Sequence, residues 1–73
     1  MKRIVHTKTR CIVYYDDNGK EHRENGPAVI WPNGVINWMK RDTFHREELP
    51  SIILSDGARI WHTDGYMRRQ EYP

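Results

Sequence analysis

The stretch His22-Arg23-Glu24-Asn25-Gly26-Pro27-Ala28-Val29-Ile30, running on through Asn33-Gly34 to Trp38, decides the fold. It returns 23 residues later as His45-Arg46-Glu47-Glu48-Leu49-Pro50-Ser51-Ile52-Ile53, running on through Asp56-Gly57 to Trp61. Pro27 then falls on Pro50, Asn33 on Asp56, Gly34 on Gly57 and Trp38 on Trp61. Scarce residue types held in register at one offset are the mark of a tandem repeat. The pattern also extends outward, with Tyr15 one period before Trp38, Gly19 two periods before Gly65, and Arg69 and Pro73 one period after Arg46 and Pro50.

The segments between these landmarks have strand chemistry. Ile4-Val5, Ile12 to Tyr15, Ala28 to Trp31, Val35 to Met39, Ile52 to Leu54 and Arg59 to Trp61 are short and rich in β-branched and aromatic residues. Between them stand Asn18-Gly19, Asn33-Gly34, Asp56-Gly57 and Asp64-Gly65, the pairs that tight hairpin turns favour because their central residues need positive φ. The charged run Arg41 to Leu49 lies in register with Asn18 to Gly26, so it reads as extended and not helical. The expected fold is all-β: an antiparallel meander of about eight short strands, built from tandem hairpins and twisted into a single curled sheet.

Two-residue loops predict a definite pairing. Trp31 stands opposite Ile36, Val29 opposite Trp38 and Ile30 opposite Asn37; in the second copy Leu54 faces Arg59, Ile52 faces Trp61 and Ile53 faces Ile60. The intervening turns set Tyr15 opposite His22, Trp38 opposite His45 and Trp61 opposite Arg68, so each copy lays an aromatic ring against a basic side chain. Val29, Trp31, Ile36, Trp38, Ile52, Leu54 and Trp61 form the predicted core face, and Ile30, Met39, Ile53 and Ile60 the second face.

A chain of 73 residues is one small domain, and a domain of that size buries little surface. Residues 1–12 read as a capping strand and basic arm ahead of a repeat domain over residues 13–73. The formal net charge is +2, and four of the twelve Lys and Arg (Lys2, Arg3, Lys8 and Arg10) fall in the first ten residues. That balance is compatible with an anionic partner without requiring one. Cys11 is the single cysteine, which excludes an internal disulfide and suits a reducing, cytoplasmic setting. No apolar run approaches the length of a membrane span, and Ile4-Val5 behind Met1-Lys2-Arg3 is too short for a secretion signal.

Tyr15 with Asn18-Gly19, then His22-Arg23-Glu24-Asn25-Gly26-Pro27-Ala28, then Asn33-Gly34 and Trp38, resembles the MORN-type repeat in its variant form from small bacterial and phage proteins. His45-Arg46-Glu47, Pro50, Asp56-Gly57, Trp61 and Asp64-Gly65 carry the resemblance again. The second copy departs from it, with Glu48-Leu49 where the first has Asn25-Gly26. The resemblance implies arrays of β-hairpins that serve as interaction or lipid-associated modules, with no shared catalytic residues.

His22 with Glu24, and His45 with Glu47, invite a metal or acid-base reading. Equivalent residues of stacked hairpins stand about 10 Å apart, which is too far for one ion. A recurring His-Arg-Glu is better read as structural, with His22, Arg23, Glu24, Pro27, Trp38, His45, Arg46, Glu47, Pro50 and Trp61 as its framework and no metal or cofactor assigned. Cys11 has no His or acid beside it by the repeat and reads as a quiet, semi-buried thiol.

Three classes of function follow. The first is a non-enzymatic protein-binding module, a phage or bacterial accessory protein that docks on a host or defence protein and inhibits or modulates it. Its candidate contact residues are Ile30, Met39, Ile53, Ile60, Tyr66, Arg68 and Arg69, and pairing with a second copy as a homodimer is part of the same expectation. The second is nucleic-acid binding through Arg23, Arg46, Arg59, Arg68 and Arg69 with Tyr14, Tyr66 and Tyr72; Glu21, Glu24, Glu47, Glu48, Asp16 and Asp17 interrupt any positive stripe. The third is a small nuclease using the His and Glu residues, which requires an open cleft.

Overall fold

The computed structural model describes residues 2–73. Met1, at the head of the expected capping segment, lies outside the described residues. The described residues form nine short strands: β1 (Lys2–Val5), β2 (Ile12–Tyr15), β3 (Val29–Ile30), β4 (Ile36–Asn37), β5 (Met39–Lys40), β6 (Thr43–Phe44), β7 (Ile52–Ile53), β8 (Arg59–Thr63) and β9 (Tyr66–Glu71). Among the described residues there is no helix, and Arg41 to Leu49 is extended or turning as its sequence register implies.

The strands do not form one sheet. Seven of them, in the order β1-β2-β3-β4-β7-β8-β9, make an antiparallel sheet, while β5 and β6 form a separate two-stranded ribbon. The chain leaves the large sheet after Trp38, whose N–H donates to the Ser51 carbonyl, and the β5-β6 turn docks back on residues 21 and 22. Hydrogen bonds to an earlier hairpin thus replace those the ribbon would have made as a sheet member.

Turn chemistry sets the register, and three turns differ from the two-residue expectation. At Asn33-Gly34 the Gly34 N–H donates to the Trp31 carbonyl and the Trp31 N–H to the Val35 carbonyl, closing a loop of three residues, Pro32-Asn33-Gly34. Leu54 with Ala58, and Asp16 with Lys20, close their loops in the same way. In each loop the glycine has positive φ (76° at Gly19, 93° at Gly34 and Gly57), while the Asn or Asp before it does not. This is a type I turn followed by a glycine bulge.

Two turns do have two central residues. Arg41 and Asp42 (φ 49° and 65°), and Asp64 and Gly65 (49° and 87°), are left-handed at both positions, as a type I′ turn demands.

The extra residue shifts every pair beyond the three-residue loops by one. Val29 pairs with Asn37, not Trp38, and Ile30 with Ile36; Ile52 pairs with Ile60 and Ile53 with Arg59; Tyr15 bridges to Glu21, not His22. His45 does meet Trp38 as expected, through its N–H to the Trp38 carbonyl. In the last hairpin a bulge between Trp61 and His62 pairs Trp61 with Arg69 instead of Arg68.

A one-residue slip exchanges the faces of a strand. Ile4, Val13, Val29, Asn37, Ile52, Ile60 and Gln70 form one cross-strand row, and Val5, Ile12, Ile30, Ile36, Ile53, Arg59 and Glu71 the next. Ile30 and Ile53 therefore share a row, but Ile60 belongs to the other one and not to theirs as predicted. The core consists of Cys11, Val13, Ala28, Val29 and Met39, with Tyr15 and Phe44 packed against it. Met39, expected on a binding face, is buried, and Trp31, expected in the core, is 40% exposed beside its loop.

Candidate functional site

The two His-Arg-Glu triplets flank a cavity of about 360 Å³ with Trp38, Met39 and Lys40 between them. Each histidine holds a turn. The Arg41 N–H donates to His22 Nδ1 at 3.2 Å, and the Asp64 N–H donates to His45 Nδ1 at 3.0 Å. The neighbouring carbonyl takes the second turn amide: Asp42 N–H donates to the Glu21 oxygen at 2.8 Å, and Gly65 N–H to the Phe44 oxygen at 2.9 Å. A type I′ turn directs two adjacent N–H groups outward, and the histidine of each triplet together with the carbonyl of the residue before it satisfies both.

That bond fixes the tautomer. With Nδ1 accepting, the imidazole proton sits on Nε2, which lies 3.6 Å from Glu24 Oε1 in the first triplet and donates to Glu47 Oε1 at 3.1 Å in the second. A base acting at Nε2 would require the ring proton to move to Nδ1, which breaks the turn bond. Asp64 Oδ1 also lies 3.4 Å from His45 Nδ1.

The arginines lie over the aromatic rings. Arg23 stacks on Tyr14 with its guanidinium carbon 3.9 Å from the centroid, Arg46 on Trp38 at 3.8 Å and Arg69 on Trp61 at 4.8 Å. Arg23 Nη1 also donates to the Pro27 carbonyl and Arg46 Nη1 to the Pro50 carbonyl, at 3.3 and 3.1 Å. Burial lowers the Arg46 guanidinium below its ordinary value. Trp38 and Trp61 are covered by the arginines one residue after their expected partners His45 and Arg68, whereas Tyr15, expected to meet His22, instead meets His6, and Arg23 covers Tyr14. Arg59 is 5.9 Å from the Trp61 centroid and pairs with Glu71, as does Arg69.

Trp38 Nε1 is buried and makes no hydrogen bond among the described residues. Gly26 is required by the first stack, since a Cβ there would stand 2.8 Å from the Arg23 guanidinium carbon. In the second copy Glu48 is left-handed (φ 62°), which carries the exposed Leu49 side chain where the first copy has glycine.

A further cluster was not anticipated. Ser51 is fully buried; its hydroxyl donates to the Ile60 carbonyl at 3.0 Å, leaving its oxygen to accept from His62 Nδ1 at 2.7 Å. His62 stacks on Phe44 at 5.0 Å, and burial lowers its imidazole below the ordinary value. Ser51 and His62 stand 23 residues after the buried Ala28 and Met39. The only signal in the sequence was this double replacement at one offset.

Two acids are also displaced. Burial raises the Glu21 carboxyl, with the Asp42 charge adding to it, and the Lys20 amide chiefly holds the Asp16 carboxyl low.

Among the candidate contact residues, Tyr66 is 75% exposed, and Arg68 is exposed with no ion pair among the described residues. Ile30 and Ile53 are half-buried, as is Ile60 on the other row. Among the described residues no three His, Cys, Asp or Glu side chains gather as a metal ion would need. No helix is long and apolar enough to cross a membrane. No protein family, curated protein or solved structure matches the chain.

Proposed function

We propose that the chain is a small non-enzymatic protein-binding module made of tandem MORN-like hairpins in a curled sheet. It acts in the cytoplasm as a phage or bacterial accessory protein that docks on a host or defence protein and modulates it. The repeat reading is supported by contacts that recur 23 residues apart: His22 and His45 each take a turn amide, Arg23 and Arg46 each donate to a proline carbonyl, and Arg46 and Arg69 cover Trp38 and Trp61.

One observation carries the binding reading. The His and Arg side chains of the two triplets are engaged within the fold, whereas β9 ends the sheet with no strand on its outer side among the described residues and with Tyr66 and Met67 75% and 60% exposed. An open edge of that length is a template for strand addition. Affinity capture from a lysate of the native host, with nuclease treatment of half the sample, tests this. A single protein recovered equally from both halves is the expected result, and recovery that vanishes with nuclease overturns it.

A nucleic-acid reading draws on one observation. Lys2, Arg3, Lys8 and Arg10 are exposed and form no ion pair among the described residues. Against it, Arg23 covers the Tyr14 ring, which leaves Tyr66 and Tyr72 as the exposed rings of that set. It requires binding to single-stranded DNA that weakens with salt and loses slope, by about 0.7 per charge removed, when Lys8 and Arg10 become alanine.

A further inference from the structure

We infer that the outer edge of β9 receives an acidic hairpin from a protein partner, at Met67 and Arg68. This rests on the binding-module reading above and names the partner's chemistry. The chain already shows how such a place is filled. At Glu21-His22 the Arg41-Asp42 turn gives its two amides to the Glu21 carbonyl and His22 Nδ1, and the Asp42 carboxylate accepts the Glu21 N–H at 2.5 Å. At Phe44-His45 the Asp64-Gly65 turn does the same, with the Asp64 carboxylate 3.4 Å from His45. An aspartate stands at each docking, Asp42 as the second turn residue, accepting a backbone N–H, and Asp64 as the first, beside an Nδ1 that carries no proton.

The next pair in this series, 23 residues on, is Met67-Arg68, on the strand that ends the sheet. One substitution sets it apart: arginine replaces histidine. A guanidinium has five donors and no acceptor, so it cannot take a turn amide as Nδ1 does, but it binds a carboxylate through two parallel bonds. Met67 stands opposite His62 as Phe44 stands opposite Met39, but Arg68 lies at the bulge that pairs Trp61 with Arg69; the backbone place recurs, and the side chain beside it prefers an acidic group.

A second copy of this chain suits the edge poorly. Its own open edges carry Lys2-Arg3 on β1 and Arg68-Arg69 on β9, which edge-to-edge pairing brings against like charges.

The test uses the full chain labelled with ¹⁵N and a cyclised hairpin peptide with an Asp-Gly turn and strands alternating valine with glutamate. The control peptide has lysine for every glutamate. The acidic peptide is expected to shift the amide resonances of 66–71 and leave those of 2–5 in place. Arg68→Glu, at an exposed and unpaired side chain, is expected to keep the native spectrum, weaken the acidic peptide at least tenfold and admit the lysine peptide.

Equal binding of both peptides, shifts confined to 2–5, no shifts at all, an unaltered preference in Arg68→Glu, or tighter seating of a single-stranded DNA on 66–71 would each overturn the inference. The two proposals separate cleanly. Capture of a partner that survives Arg68→Glu keeps the binding module and removes the acidic edge; an acidic peptide on β9 with no protein captured does the reverse.

Discussion

At the scale of single residues, side chains forced into unusual states mark where the chain gives up stability. Glu48 is left-handed at φ 62° without the freedom of glycine, a conformation costing about 1–2 kcal/mol in a residue with a Cβ. Glu48→Gly removes that cost and adds unfolded-chain entropy, so the net expectation is a gain of about 0.5 kcal/mol, read as a rise of about 3 °C in Tm. Glu21 is the second case. Its carboxyl is raised by burial and then by Asp42, so the folded state holds its proton more tightly than the unfolded chain. That contribution is fully present below pH 4.5, the ordinary glutamate value, and is lost as pH rises through the folded value. Glu21→Gln is therefore expected to raise Tm at neutral pH and to remove this segment of the pH profile, as thermal melts between pH 3 and 7 would record.

Among elements, the buried pair Ala28 and Met39 has as its counterpart Ser51 and His62, a hydrogen-bonded pair in place of an apolar one. Ser51→Ala alone leaves His62 Nδ1 without its partner and is expected to cost about 1–2 kcal/mol. The double change Ser51→Ala with His62→Met recreates the first pair, and denaturant melts should place it within about 1 kcal/mol of the parent. It should also flatten the acid side of the stability profile. Because burial lowers the His62 imidazole, the unfolded chain takes the proton first as pH drops below 6.5, and stability falls from there until the folded value is passed.

The hairpins also show how far the sequence could be read. Strand chemistry, the absence of a helix over Arg41 to Leu49, and the positions of the turns at Asn18-Gly19, Asn33-Gly34, Arg41-Asp42, Asp56-Gly57 and Asp64-Gly65 were legible. Register was not taken correctly, although Pro32 held the information: its fixed φ suits the first central place of a type I turn and cannot adopt the positive φ of type I′. Asn33 then takes the second place and Gly34 the bulge, and the pairing moves by one. The His-Arg-Glu framework was visible as a recurring motif, but its division of labour depends on contacts 19 residues away in the next turn. Local pattern carries no sign of them.

For the whole molecule, a core of a few small and medium side chains leaves much of the sheet half-covered. Stability then leans on polar contacts between successive hairpins, as in arrays where each segment touches only its neighbours. Amide hydrogen exchange should resolve their order: Asp64 and Gly65 are expected to exchange faster than Arg41 and Asp42. The later turn borders the open edge at β9, whereas the earlier one is backed by everything after it. Equal rates at the two turns would show instead that the hairpins open together.

The imidazole grip on each following turn gives the array a direction. Removing the last hairpin takes away a guest and leaves the His45 acceptor facing water, where it is readily solvated; removing the first takes away the acceptors on which Arg41 and Asp42 depend. Unravelling should therefore begin at the tail and stop at intermediate stages, while damage at the head spreads forward through the rest.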